Sequence, residues 1–335
     1  MIDLAPFLAS VEAIVARHAL DRPGSHRRYT IEGRDETGAP RSFEENAYGC
    51  ADAANLLYTI GALPRASEER EAWIAVLRGL QDPATGFFRE STHHEIHTTA
   101  HCLGALELFD ARPSYRLTAL APLRAPGAVE AFLDALDWKG APWTEAHRGA
   151  GLYAALLLAG EADVDFEDRY FAWLAREVDP ATGLLRRGCV DPSPAGGVFP
   201  HLAGSFHYLF NVEHARRPWP HAAALVDTCL AIRERGAFPL ARRVWFADVD
   251  WVYTLSRALR QTDHRFVEGR RTLAEFAETY ANFLLGLDPE RDEGLDDLHR
   301  LFGAVCALAE LQQAAPGVLR SPRPLRLVLD RRPFI

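Results

Sequence analysis

Six helical segments recur along the chain about every fifty residues, and that period limits the fold more than any single motif. They read AYGCADAANLLYTIGAL from Ala47, HTTAHCLGALELF from His97, HRGAGLYAALLLAG from His147, HLAGSFHYLFNVEHA from His201, VDWVYTLSRALRQT from Val249 and LHRLFGAVCALAEL from Leu298. Many are apolar on nearly every side and rich in Ala and Gly. A helix apolar all round is buried all round, and small side chains let its neighbours approach closely.

A second, more conventional helix precedes each of these. The periodicity predicts such helices near Asp3–Leu20, Ala66–Gln81, Ala125–Leu136, Val164–Glu177, His221–Glu234 and Arg271–Leu285. They carry charge on one face and apolar residues at i, i+3, i+4 on the other, the mark of a surface helix. Turn-rich links join the two kinds, among them QDPATGFF at 81–88 and VDPATGLL at 178–185. Asp-Pro opens a turn and Gly accepts positive φ. The near identity of these two links points to internal duplication.

Six outer and six inner helices can stack in a line, which needs capping units, or close into a ring, which does not. The all-round burial of the inner set favours closure. The expected fold is therefore all-α: an (α/α)6 toroid of six helical hairpins around an inner barrel of Ala/Gly-rich helices. Residues 1–316 form its single domain and 317–335 a Pro/Arg-rich C-terminal tail. In that tail LRLVL alternates like a short strand that could pair with YTIEG near Tyr29. The tail is otherwise expected to be solvated. It or the loop from Asp21 to Ser42 could serve as a lid or a dimer contact.

Composition narrows the partners. The 335 residues carry a net charge of −9, against bulk binding to nucleic acid or an anionic membrane. No apolar run reaches the roughly 18 residues of a membrane span. The N-terminus reads as an amphipathic helix interrupted by Asp3 and Glu12 rather than as a signal peptide. Five scattered cysteines without a CxxC pair exclude thiolate zinc ribbons and suit a reducing cytoplasm. The expected partner is a small-molecule substrate, with a homodimer as an open option.

The first turns of the inner helices, with the loops before them, would converge on the axial cavity. Eight of the thirteen histidines fall there: His93, His94, His97, His101, His147, His201, His207 and His299. Glu44, Glu45, Tyr48 and Asp52 join them, as do Trp143, Glu145 and Arg148. So do Trp245, Asp248, Asp250, Trp251 and Tyr253, then Asp296 and Asp297. Histidine exchanges protons near neutral pH and carboxylates beside it tune its pKa. Acidic residues at helix starts also cap free N–H groups, which is a sufficient structural reason for Asp248, Asp297 or Glu45 taken singly.

Two clusters stand out. In HHEIHTTAH (93–101), His97 and His101 share a helix face at i, i+4 and could hold zinc, although the sequence is not H-E-x-x-H. Proton transfer or substrate binding is the preferred role, and no cofactor is expected. In ADVDWVY (247–253), two carboxylates two residues apart can repel and raise one pKa, making a general acid.

The Q-D-P-x-T-G link followed by an Ala-rich helix resembles two families built on this ring. One is the terpenoid cyclase and protein prenyltransferase β-subunit superfamily. The other comprises the six-hairpin carbohydrate-active enzymes, including unsaturated glycuronyl hydrolases and sugar 2-epimerases. The likeness covers most of the chain at repeat level, and a turn signature marks a fold more than a reaction. ADVDWVY also resembles the first three residues of the D-V-D-D motif of class II terpene cyclases. That resemblance makes Asp250 the proton donor, with Trp251 in place of the fourth residue. Set against the zinc-binding D-x-C of prenyltransferase β-subunits, Asp250 and His299 match two ligands. Val252 stands where the cysteine belongs, so zinc-dependent prenyl transfer is not expected.

The leading expectation is an enzyme using general acid–base catalysis on a small carbohydrate-like substrate, as a hydrolase, epimerase or lyase. Asp250 is assigned as the acid supported by Asp248, with His97, His101 and His207 as base or second acid. Asp52, His94, Trp143, Glu145, His147, Arg148, His201, Trp251, Tyr253 and His299 are assigned to substrate binding. The alternatives are a terpene-cyclase-like enzyme protonating an isoprenoid through Asp250, with Phe199, Phe206, Trp245, Trp251 and Tyr253 facing the cation, and a non-catalytic ligand-binding toroid.

Overall fold

The computed structural model describes residues 1–191, 197–236 and 238–335. It is mostly helical, with one two-residue parallel pairing between β1 (Ile2–Asp3) and β2 (Leu319–Arg320). Among the described residues no helix is long and apolar enough to cross a membrane.

The predicted alternation of helices is present. The charged-face set comprises α1 (Ala5–His18), α3 (Ser67–Gly79), α5 (Ala128–Asp134), α7 (Val164–Glu177), α9 (Ala222–Arg235) and α11 (Phe266–Leu285). The buried set comprises α2 (Ala47–Ile60), α4 (Glu95–Glu107), α6 (Pro142–Leu158), α8 (Val198–His214), α10 (Ala247–Ala258) and α13 (Leu298–Ala314). One-turn helices α12 (Glu293–Asp296) and α14 (Val328–Arg331) complete the chain. α6 begins five residues before His147 because Pro142, with its φ already helical, opens the first turn.

The buried helices follow one another in space. α2 packs on α4, α4 on α6, α6 on α8, α8 on α10, α10 on α13, and α13 returns to α2. Outside them, α5 meets α7, α9 meets α11, and α11 meets α1. Small residues permit the close approaches: Gly49 lies against the backbone of His26 and Arg27, and Gly204 against the carbonyl of Pro142.

The two similar links are built alike, bond for bond. Asp82 Oδ1 accepts the amide of Ala84 at 2.8 Å, and Asp179 Oδ1 accepts that of Ala181 at 2.8 Å. Gly86 and Gly183 both take positive φ, 80° and 70°, as the turn requires. A hydroxyl of the following helix then receives the end of each link. Phe88 N donates to Thr99 Oγ1 at 2.9 Å, and Leu185 N to Ser205 Oγ at 2.8 Å.

The C-terminal segment departs from the sequence reading. LRLVL forms no strand with YTIEG; its end turns into α14, and the observed pairing joins β1 to β2. Residues 332–335 are not solvated either. Arg332, Phe334 and Ile335 are buried, Arg332 bonds Asn55 Oδ1 at 2.7 Å, and Asn211 donates to the Pro333 carbonyl at 2.7 Å. An apolar Pro-Phe-Ile end gains more inside the helices than in water.

The loop 21–42 is pinned over the same end of the buried helices as the starts of α4 and α13. Arg28 forks onto Asp297, the N-cap of α13, at 2.7 and 2.9 Å, and bonds Thr92 at 2.7 Å and Glu36 at 2.6 Å. Burial opposes the guanidinium charge, but Asp297 overrides it and holds the pKa above its usual value. Asp296 accepts the amides of Thr30 and Ile31, each at 3.0 Å.

Candidate active site

A cavity of about 280 Å³ opens among the N-terminal halves of the buried helices. Its polar wall comes from His93, His94, His97, His147, His207 and His299, and its mouth from Trp143, Glu145, Arg148, Trp245 and Glu36. Ile335 contributes to the lining, and the Phe334 ring lies 4.9 Å from that of His97. The buried C-terminal segment thus closes the inner end.

Asp52 is wholly buried. It hydrogen-bonds His101 Nε2 at 2.7 Å and His299 Nδ1 at 3.1 Å. Burial pushes its carboxyl up and both imidazoles well down, whereas Arg28 and Arg332 favour the carboxylate. Asp52 comes from α2, His101 from α4 and His299 from α13, so three helices must be in place to assemble the group.

Tyr48, one turn before Asp52, connects this group to a second. Its ring lies 4.9 Å from His101 and 4.3 Å from His299, and its hydroxyl hydrogen-bonds His97 Nδ1. Burial pushes the phenol well above its usual range, so it stays protonated. Beyond it, His97, His147 and His207 converge, one ligand atom from each lying within 4.8 Å of the others. Burial drives His97 and His147 well below the ordinary imidazole range and His207 down to about 4. His207 Nδ1 donates to the Ala203 carbonyl at 2.8 Å, because a carbonyl can only accept. Its free lone pair is therefore on Nε2. His147 Nε2 is buried without a hydrogen-bond partner among the described residues.

His93 lies 4.8 Å from both Tyr48 and His97, with Thr92 Oγ1 bonded to its Nδ1 at 2.7 Å. Burial would raise the carboxyl of neighbouring Glu90, but His93 and then Arg28 overcome that and hold it at about 2.

The expected site residues divide into two sets. His94, His97, Trp143, Glu145, His147, Arg148, His207 and His299 line the cavity, and Asp52 and His101 stand behind them. His94 also caps α4, its Nδ1 accepting the Ile96 amide at 3.1 Å. Glu145 and Arg148 pair at 2.8 Å across one turn. His97 and His101, which could have held zinc together, belong to different groups, because His101 turns its Nε2 to Asp52.

The second set lies elsewhere. Asp250 is wholly buried, outside the cavity lining, and neither carboxylate oxygen has a hydrogen-bond partner among the described residues. Burial, then Asp248, pushes its pKa well up, so it is a neutral acid in the packing. Asp248 accepts the Ala241 amide at 2.7 Å and is pushed by burial to about 7. Trp251 donates to the Cys229 carbonyl at 2.8 Å, and Tyr253 packs 4.3 Å from Phe210. His201 Nδ1 donates to the Leu185 carbonyl at 2.8 Å and clamps the preceding link. At the start of α10 it is the N-cap residue Phe246, not the aspartates, that reaches the cavity.

Glu36, Phe246 and Ile335 line the cavity without having been singled out in the sequence, and Arg28 and Glu90 support it. The only signal for Arg28 was an arginine pair in a loop outside the repeat.

Comparison with protein-family models, with curated proteins and with solved structures gives no match for this chain.

Proposed function

We propose that the cycle of six buried helices is an (α/α)6 toroid, and that its cavity serves an enzyme using general acid–base catalysis on a small carbohydrate-like substrate. The observation that carries this reading is the Asp52–His299 pair, whose imidazole lines the cavity while its Nδ1 is held by a buried carboxylate. A desolvated imidazole stays neutral and can accept a proton. Asp52 orients the ring, and its negative charge, which Arg28 and Arg332 favour against burial, stabilises the imidazolium once formed. Tyr48, kept protonated beside it, is suited to donate. Trp143 and Trp245, with ring centroids 5.1 Å apart, offer apolar faces for the C–H face of a sugar. Arg148 can reach a carboxylate.

Glycoside hydrolysis usually needs two carboxyl groups flanking the bond. Here the proton-transfer groups of the inner wall are imidazoles, with the Tyr48 phenol behind them. That supports epimerisation or elimination, each of which begins by removing a proton from carbon, over hydrolysis.

The test is carbon-bound hydrogen exchange in heavy water over a panel of uronic acids, unsaturated uronides and reducing sugars. The expectation is exchange or turnover with one substrate class, falling about 10²–10⁴-fold in Asp52→Asn and His299→Gln. The reading fails if no panel member exchanges, or if both variants keep the wild-type rate.

A further inference from the structure

Three imidazoles brought together without a carboxylate among them are an unusual use of a buried space. A hydrophobic packing role would not require nitrogen, and a proton relay would require each ring to hand its hydrogen bond to the next. Neither describes His97, His147 and His207. Their ligand atoms converge within 4.8 Å, yet no hydrogen bond joins any two of them. Uncharged by burial, all three keep a lone pair.

We propose that His97, His147 and His207 bind one divalent transition-metal ion of the zinc type, with a coordination position open to the cavity. Imidazole suits zinc, and three histidines plus an exchangeable fourth ligand form a known arrangement for it. The supporting partners are present. A ligating histidine commonly uses its other nitrogen in a hydrogen bond that fixes the ring. His207 Nδ1 donates to the Ala203 carbonyl at 2.8 Å, and in the metal-bound form His97 Nδ1 donates to the Tyr48 hydroxyl oxygen, which leaves Nε2 of each for the ion. His147 offers a buried Nε2 without a hydrogen-bond partner among the described residues. Zn–N bonds of about 2.1 Å would draw the three rings slightly inward, within the reach of side-chain rotation.

The rival group is Asp52, His101 and His299, which also converge. There Asp52 already accepts from both imidazoles, so the donors satisfy one another. His97, His147 and His207 also line the open cavity, where a water or a substrate oxygen can complete the coordination. The site stands independently of the reaction proposed above.

The experiment is titration of chelator-treated full-length protein with Co²⁺, read by visible ligand-field absorption and displaced by Zn²⁺. Wild type should take up one equivalent with the bands of a four- or five-coordinate ion. His147→Gln and His207→Gln should lose it with unchanged circular dichroism, while His101→Gln and Asp52→Asn retain it. Tyr48→Phe should weaken it about tenfold through the His97 ring. If a histidine variant misfolds, X-ray absorption on the zinc-loaded wild type should still show about three imidazole ligands. The proposal is overturned if wild type binds no cobalt, if folded His147 and His207 variants bind as wild type does, or if uptake is abolished by the Asp52 and His101 changes instead. Loss of metal binding with retained Asp52-dependent turnover would reject this site alone.

Discussion

Asp52 and His299, 247 positions apart in sequence, meet at 3.1 Å with both side chains buried. The contact exists only when α2 and α13 are neighbours, so the first and last buried helices must meet before the wall of the cavity is complete. Asp52→Asn keeps the shape but offers an amide that can donate, which should change the tautomer of His299. ¹⁵N NMR of the histidine rings checks this directly: wild type should show protonation on Nδ1, the variant a shift toward Nε2.

Arg28 and Asp297 form a buried, forked ion pair that ties the loop 21–42 to α13. Removing Asp297 leaves the buried guanidinium with Glu36 and Glu90 alone, at a cost approaching the roughly 3–5 kcal/mol of a buried charge left with no partner. Asp297→Ala should therefore lower the denaturant midpoint markedly, more than Arg22→Ala, whose pair with Glu45 is largely exposed. Equal midpoints for the two variants would contradict the anchoring role.

Acid should act through His207. Its folded-state pKa of about 4, set by burial, lies below the unfolded value of 6.5. Between those values the unfolded chain takes up a proton that the folded chain refuses, so stability falls as pH drops from about 6.5 to 4. The loss is on the order of 3 kcal/mol. Urea unfolding at pH 7, 5.5 and 4.5 should show a slope that His207→Gln flattens.

Asp248 works in the opposite sense. Its folded pKa of about 7 lies above the ordinary 3.8, so its contribution to stability is full below about 4 and is lost as pH rises through 7. Asp248→Asn keeps an oxygen for the Ala241 amide without the titration. The variant should be more stable than wild type at pH 8 and lose that advantage at pH 4, read from the same urea curves.

Gly183 combines positive φ, 70°, with a position where a methyl group would lie 2.6 Å from the Leu225 amide nitrogen. Gly38 has φ of 84° but open space around it. Gly183→Ala should cost clearly more than Gly38→Ala, whose penalty is only the backbone term of about 1 kcal/mol. Thermal unfolding of the two variants decides this.

The helices were legible because the apolar period repeats. Val164–Glu177 was placed to the residue, with Asp163 capping the Phe166 amide at 2.8 Å. Histidines on otherwise apolar helices were equally legible, since a core has little use for them, and His97, His147, His207 and His299 do line the cavity. The aspartates of α10 lie outside the cavity lining, because each helical position turns about 100° from the last. Whether Phe246 or Asp250 faces inward depends on the rotation of the helix, which neighbouring helices set. Glu36, Arg28 and Phe334 lie in segments without a period, and only tertiary packing places them.

Phe334 and Ile335 make the cavity a cup rather than a tube. On the proposed reading, a cup of this kind suits a chain end or a small molecule better than a polymer threaded along its length. Substrate and product would then share the mouth between Trp143 and Trp245, and a product at high concentration would compete for it.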